Sequence, residues 1–227
     1  MDGTTATIDQ FDVDGQIGDR MDDALGTADG TTRGEFLKKF AIGAGGIAVA
    51  SALVAPGTAG AAQRRSERGD VEILQYALTL EYLEAEFYTQ AERARGITGE
   101  NKVFARVVGE HERAHVKALQ DTLRSLGVTP VAKPTFDFQG TNRANGVFRK
   151  TALALEETGV AAYVGQAPYV LNEAILLAAA RIATVEARHA AWMRALMGNP
   201  PAPNAFDGRR GKAETLRVVE STGFIVG

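Results

Sequence analysis

Two copies of a Glu-x-x-His motif stand 74 residues apart in the chain, Glu112 to His115 and Glu186 to His189. A second pair of carboxylates, Glu81 and Glu156, lies 75 residues apart. Each closes a similar phrase, Ala77-Leu78-Thr79-Leu80 and Ala152-Leu153-Ala154-Leu155, and each is followed seven residues on by a tyrosine, Tyr88 and Tyr163. On a helix, positions three apart share a face, so each motif presents a carboxylate and an imidazole to the same side. Four carboxylates gathered in a core repel one another and resist ionisation unless they take up protons or cations. Two divalent ions cancel the charge of four glutamates, while two neutral histidines add none. Mixed oxygen and imidazole ligation suits iron or manganese and does not exclude zinc. One Glu-x-x-His on a helix says little; two of them, with partner glutamates at repeat-related places on apolar stripes, are specific.

Apolar residues at helical spacing supply four elements to carry these groups. The first is expected over about 70–95, with Asp70 as N-cap and the stripe Leu74, Leu78, Glu81, Ala85 and Tyr88. The second, about 101–126, carries Phe104, Val108, Glu112, His115, Leu119, Leu123 and Leu126, with Gly127 where a C-cap belongs. The third, about 145–166, carries Phe148, Ala152, Leu155, Glu156, Gly159 and Tyr163 and is stopped by Pro168. The fourth, about 172–197, carries Ile175, Ala179, Ile182, Glu186, His189, Met193 and Leu196. At ~1.5 Å per residue the four match in length, as a bundle requires. Short first and third connections make two antiparallel hairpins. The middle connection, 128–144, is long enough to run the length of the bundle. The 74 and 75-residue offsets make the hairpins copies related by a pseudo-twofold axis. Each glutamate sits near the middle of its helix, so all six ligand-type side chains can meet at one depth in the core.

Other groups lie close by. His111, off the stripe, reads as a surface or packing residue. Glu84, three residues after Glu81, reads either as a ligand alternative or base on the inner face, or as a solvated residue. Glu86, Glu110 and Glu157 are expected to face solvent, and Trp192 and Met193 to pack.

With these residues in place, the chain over about 70–197 resembles the ferritin-like superfamily, in which two helices give one Glu each and two give Glu-x-x-His. Leu80-Glu81 with Tyr88 resembles the first helix of bacterioferritins, and Leu153-Ala154-Leu155-Glu156 their third. The phrases running from Leu80 to Tyr88 and from Val185 to Trp192, with Ala205-Phe206-Asp207 in the tail, are closer to exported bacterial ferritin-like proteins with desiccation-associated relatives. The resemblance implies an all-α four-helix bundle holding two iron ions, or alternatively manganese. It implies Glu112 and Glu186 as bridging ligands, Glu81 and Glu156 as terminal ones, and His115 and His189 with one metal each. It places Tyr88 and Tyr163 next to the redox centre, as catalytic candidates.

Residues 1–30 hold eight Asp against one basic residue, Arg20, and read as a disordered acidic leader. Over 31–61, Thr32-Arg33-Gly34-Glu35-Phe36-Leu37-Lys38-Lys39 precedes a short apolar run ending in Ala59-Gly60-Ala61, the pattern of a signal peptide. It resembles a twin-arginine signal, with Gly34 where the second Arg belongs. The general secretory route and an uncleaved membrane anchor over 40–62 therefore stay open, although Pro56 and the glycines Gly43, Gly45, Gly46 and Gly57 weaken the anchor. Residues 62–69 read as a linker and 198–227 as a tail whose apolar end, 223–227, is expected to dock on its own domain in preference to a partner. The absence of cysteine excludes disulfides, thiolate metal sites and cysteine nucleophiles, and a net charge of −3 argues against a nucleic-acid partner.

Two functions fit this pattern. One is an exported protein of the periplasm or envelope whose carboxylate-bridged di-metal site reacts with dioxygen or peroxide, oxidising Fe2+ or removing peroxide; a manganese pair disproportionating peroxide is a variant. The other is a non-catalytic stress or envelope protein whose metal site is structural or empty. Iron storage would need a closed shell of many copies. A homo-oligomer remains open.

Overall fold

The structure, a computed structural model, describes residues 65–226. The acidic leader, the signal-like segment and the 40–62 run lie outside the described residues. Among the described residues five α-helices form: α1 (Glu67–Arg93), α2 (Glu100–Ser125), α3 (Asn145–Gln166), α4 (Glu173–Leu196) and α5 (Lys212–Thr222). The first four are the bundle. Among the described residues there is no strand, only two isolated bridges. None of the described helices is long and apolar enough to cross a membrane.

The helix ends follow local chemistry. Gly127 (φ 73°) and Gly198 (φ 76°) take left-handed conformations after α2 and α4. Val128 N–H donates to Leu123 O and Asn199 N–H to Arg194 O, satisfying carbonyls the last turns leave free. α1 starts earlier than the sequence suggests, because Ser66 is the cap and its hydroxyl accepts from Gly69 N–H. Asp70, expected there, is instead buried one turn in, and its carboxylate accepts from Leu171 and Asn172 N–H at 2.7 and 2.9 Å. It ties the start of the first hairpin to the turn of the second.

α1 packs on α2 and α3 on α4, as two hairpins. The crossover then climbs along α1: Val131 N–H donates to Gln75, Lys133 pairs with Glu86, Asn142 reaches Phe87 O, and Ala144 bridges to Gly96. Glu86 is therefore half-buried rather than solvated. The residues after α4 are more than a tail. α5 buries Thr215 and Val219, and Phe224 packs edge-on against Phe138 at 5.3 Å. Asp137 N–H donates to Phe224 O and Val226 N–H to Thr135 O, so the chain end docks on its own domain, along the crossover. Gly165 permits the approach of this segment, since a Cβ there would sit 1.9 Å from Arg210 O.

The core divides into two apolar clusters. One is aromatic, built on Phe87, Tyr88, Phe104 and Phe148; the other is mainly aliphatic, built on Leu74, Leu78, Leu119 and Ile182. On α2 the first cluster ends at Val108 and the second resumes at Leu119; on α4 Ile182 and Met193 bracket the gap. The gap holds Glu112, His115, Glu186 and His189. A polar layer between two dry ones is the feature the fold exists to position.

Candidate metal centre

All six residues singled out by spacing converge. Glu81, Glu112, His115 and Glu186 form one group, and Glu112, Glu156, Glu186 and His189 another, each with its ligand atoms within 4.8 Å of one another. Glu112 and Glu186 belong to both. All four carboxylates have no exposed surface and His189 only 3%. His115 Nδ1 lies 3.1 Å from Glu112 Oε2, 3.2 Å from Glu186 Oε1 and 3.3 Å from Glu81 Oε2. His189 Nδ1 lies 3.1 Å from both Glu112 Oε1 and Glu156 Oε2. The groups draw on all four helices, which is why each glutamate had to fall at mid-length.

The tyrosines cross between hairpins. Tyr88 on α1 donates its hydroxyl to Glu156 on α3, and Tyr163 on α3 donates to Glu81 on α1, the latter at 2.5 Å. Burial, then the facing carboxylate, raises both phenols well above their usual value, so they remain donors. Each holds one oxygen of its glutamate, and the other oxygen faces a histidine of the cluster.

A fifth carboxylate joins them. Glu84 is buried, 3% exposed, which decides against its solvated reading. Its repeat counterpart, 75 residues on, is Gly159. A Cβ on Gly159 would come 3.1 Å from Glu186 Oε2 and 3.3 Å from Glu84 Oε1, so the missing side chain makes the room this extra carboxylate occupies. His111 is exposed at its edge, as expected of a surface residue, yet its Nδ1 lies 2.9 Å from His189 Nε2. Burial, then His189 and His115, lower its pKa. Glu110 and Glu157 are exposed, Met193 is buried and Trp192 packs on Phe104.

Electrostatics show what this arrangement lacks. Burial, followed by mutual repulsion, pushes Glu84 and Glu186 well above the usual carboxylate range, and burial and Glu81 do the same to Glu112. Burial also acts to raise Glu81, but His115 beside it holds it below its usual value. For His115, burial acts downward and is overcome by Glu112, Glu186 and Glu81, which raise it to about 12. The protein alone thus pairs Glu81 with His115 and leaves part of the carboxylate layer unsatisfied. Glu81 Oε2, Glu112 Oε1 and both oxygens of Glu186 are buried and accept no well-aligned hydrogen bond, although all but Glu186 Oε2 lie within 3.3 Å of a histidine Nδ1. Orphaned carboxylate oxygens in two sets, each completed by an imidazole nitrogen, fit divalent cations: a cation satisfies them all, and no donor in the fold does.

An apolar cavity of about 50 Å3 adjoins the centre, lined by Leu74, Ala77, Leu119, Tyr163, Ile175 and Ile182 among others. Ala118 on α2 and Ala178 on α4, both exposed, stand on its rim.

Comparison with known proteins agrees with this architecture. A conserved hypothetical protein of Mycobacterium tuberculosis is similar in structure, with a TM-score of 0.53 at 16% identity, over 61% of this chain and 97% of that one. A hypothetical protein of Methanococcus jannaschii is similar with a TM-score of 0.50 at 14% identity, over 70% of this chain and 95% of that one. At such identities the likeness is one of fold. No curated protein sequence matches the chain. The family model of the ferritin-like domain matches residues 69–199, more than half of the 227, and the chain belongs to that ferritin-like family.

Proposed function

We propose that the protein is a di-metal redox protein, with one ion held by Glu81, Glu112, His115 and Glu186 and the other by Glu112, Glu156, Glu186 and His189. The observation that carries this reading is the sharing of Glu112 and Glu186 between the two ligand groups. Iron is the metal the reading favours. An iron pair there supplies two electrons, one from each Fe2+, to dioxygen or peroxide. The chain's own residues prepare that chemistry. Tyr88 and Tyr163 fix the outer carboxylates through their hydroxyls. Glu112 and Glu186, whose pKa burial and neighbouring carboxylates raise, would bind a cation in competition with protons. The two apolar clusters keep bulk water out. The cavity beside Tyr163 favours dioxygen over peroxide, since a small apolar molecule partitions into an apolar space and a hydrogen-bonding one stays in water.

The test is anaerobic reconstitution with Fe2+, metal counting by mass spectrometry, and then addition of dioxygen or peroxide. The expected result is two iron equivalents that oxidise on mixing, with both ions lost in the Glu112→Ala, Glu186→Ala double variant. Bound iron that neither oxidant changes would leave a structural metal that fastens the bundle. A folded protein that binds no metal would overturn the reading entirely.

We also propose that the chain is exported to the periplasm or cell envelope. The support is the basic flank, apolar run and Ala59-Gly60-Ala61 ending of the sequence over 31–61. A mature N-terminus at Ala62 in the envelope fraction is the expected result; an intact leader on cytoplasmic protein would refute export.

A further inference from the structure

The pseudo-twofold repeat makes the two ligand groups look equivalent, and the structure shows one place where they are not. His189 points Nδ1 into the centre, 3.1 Å from Glu112 and Glu156, and Nε2 outward to His111 Nδ1 at 2.9 Å. The two ring planes are 14° apart with centroids separated by 5.2 Å, which at that N···N distance sets the rings side by side, as an N–H···N bond requires. His115, the repeat counterpart of His189, also points Nδ1 inward. Its outer nitrogen has no such partner: the residue 74 positions after His111 is Val185, which offers no side-chain acceptor. His189 is also the better shielded, its side chain 4% exposed against 12% for His115.

We propose that His111 is a positioning residue for His189 and makes the two metal positions unequal, the one built on Glu156 and His189 being the tighter. The proposal rests on the di-metal reading above. A histidine that ligates through Nδ1 carries its proton on Nε2, and an acceptor there holds the ring orientation and favours the ligating tautomer. His111 Nδ1 is that acceptor, with its own proton on Nε2. His115 has no side-chain acceptor from the repeat-related position to hold its outer N–H, so its position starts at a disadvantage. His111 sits one residue before Glu112 on α2, and thus links a ligand of the second hairpin to the helix that bears a shared carboxylate.

The test is a titration of the full metal-free protein with Mn2+, following the free aqueous ion by its paramagnetic resonance. The parent is expected to bind two ions in distinguishable steps. His111→Ala should weaken the tighter step by about 10–100-fold and leave the other unchanged. His111→Asn, whose side-chain carbonyl falls close to the lost Nδ1, should restore most of the affinity. In a His189→Ala background, His111→Ala should have no further effect, which a general structural role would not produce. Equal steps in the parent, or a His111→Ala variant that shifts both steps alike or neither, would overturn the proposal. No Mn2+ bound by the parent would instead refute the di-metal reading, and the inference with it.

Discussion

A Glu186→Met chain is expected to melt higher than its parent when both are metal-free and lower when both are metal-loaded. Both oxygens of Glu186 are buried without a hydrogen-bond partner, and burial with repulsion from Glu112 and Glu156 raises its pKa. In the metal-free protein the side chain is a liability. An unsatisfied buried acceptor costs about 1–3 kcal/mol, and methionine fills a similar volume without one. For a chain of this size that is worth roughly 2–4 °C per kcal/mol, so the metal-free variant should gain several degrees. The loaded comparison reverses because Glu186 belongs to both ligand groups. A cation at about a thousand times its dissociation constant contributes roughly 4 kcal/mol to the folded state, and the variant forfeits that at one position or both. Set against the metal-free gain, the net fall is about 2–12 °C if one position is lost and larger if both are. Calorimetry with chelator and with Mn2+ measures both halves. A variant less stable than the parent in chelator would show that the fold uses Glu186 for its own stability, and would refute a layer built for cations.

The metal-free protein should also lose stability as pH rises, the opposite of the loaded protein. Glu84, Glu112 and Glu186 have folded pKa values raised well above the usual 4.5. Folding therefore holds protons that the unfolded chain releases. The stability associated with those groups is complete below about 4.5 and declines as pH climbs toward their folded values. His115 acts in the same sense from higher up: with its pKa raised from 6.5 to about 12, its contribution is complete below 6.5 and declines as pH climbs from there toward about 12. Glu81 alone opposes them. Its lowered pKa makes its contribution present above 4.5 and lost only as pH falls below that value. Melting temperature in chelator should thus peak in the weakly acidic range and fall through neutrality. Divalent cations compete with the same protons, so the loaded protein should gain stability across that window. Melts in chelator and in Mn2+, from about pH 5 to pH 8, test the crossing slopes. Parallel slopes would mean that the carboxylates are already ionised and partnered without metal.

Much of this protein is legible in its sequence. The four helices of the bundle follow from apolar residues spaced at the helical period, with ends marked by Gly127, Pro168 and Gly198. The six clustered side chains follow from a repeat: when the same residue types recur 74 and 75 residues apart on apolar stripes, the internal symmetry of the fold brings them to one depth. Where a group departs from the repeat or joins two elements, the sequence falls silent. Asp70 looked like a helix cap because its type suits one, and only the packing of the hairpins turns it toward Leu171 and Asn172. Glu84 left two readings open, which were settled by the hollow opposite Gly159. His111 lies off its helix's apolar stripe, and its bond to His189 depends on how far α2 is rotated against α4. The exchange of Tyr88 and Tyr163 between hairpins has the same origin. Spacing along a chain determines which face of a helix a residue occupies, because that depends only on helix geometry. Which atoms then meet across faces is set by rotation and register between helices, and that is decided by the packing of the whole core.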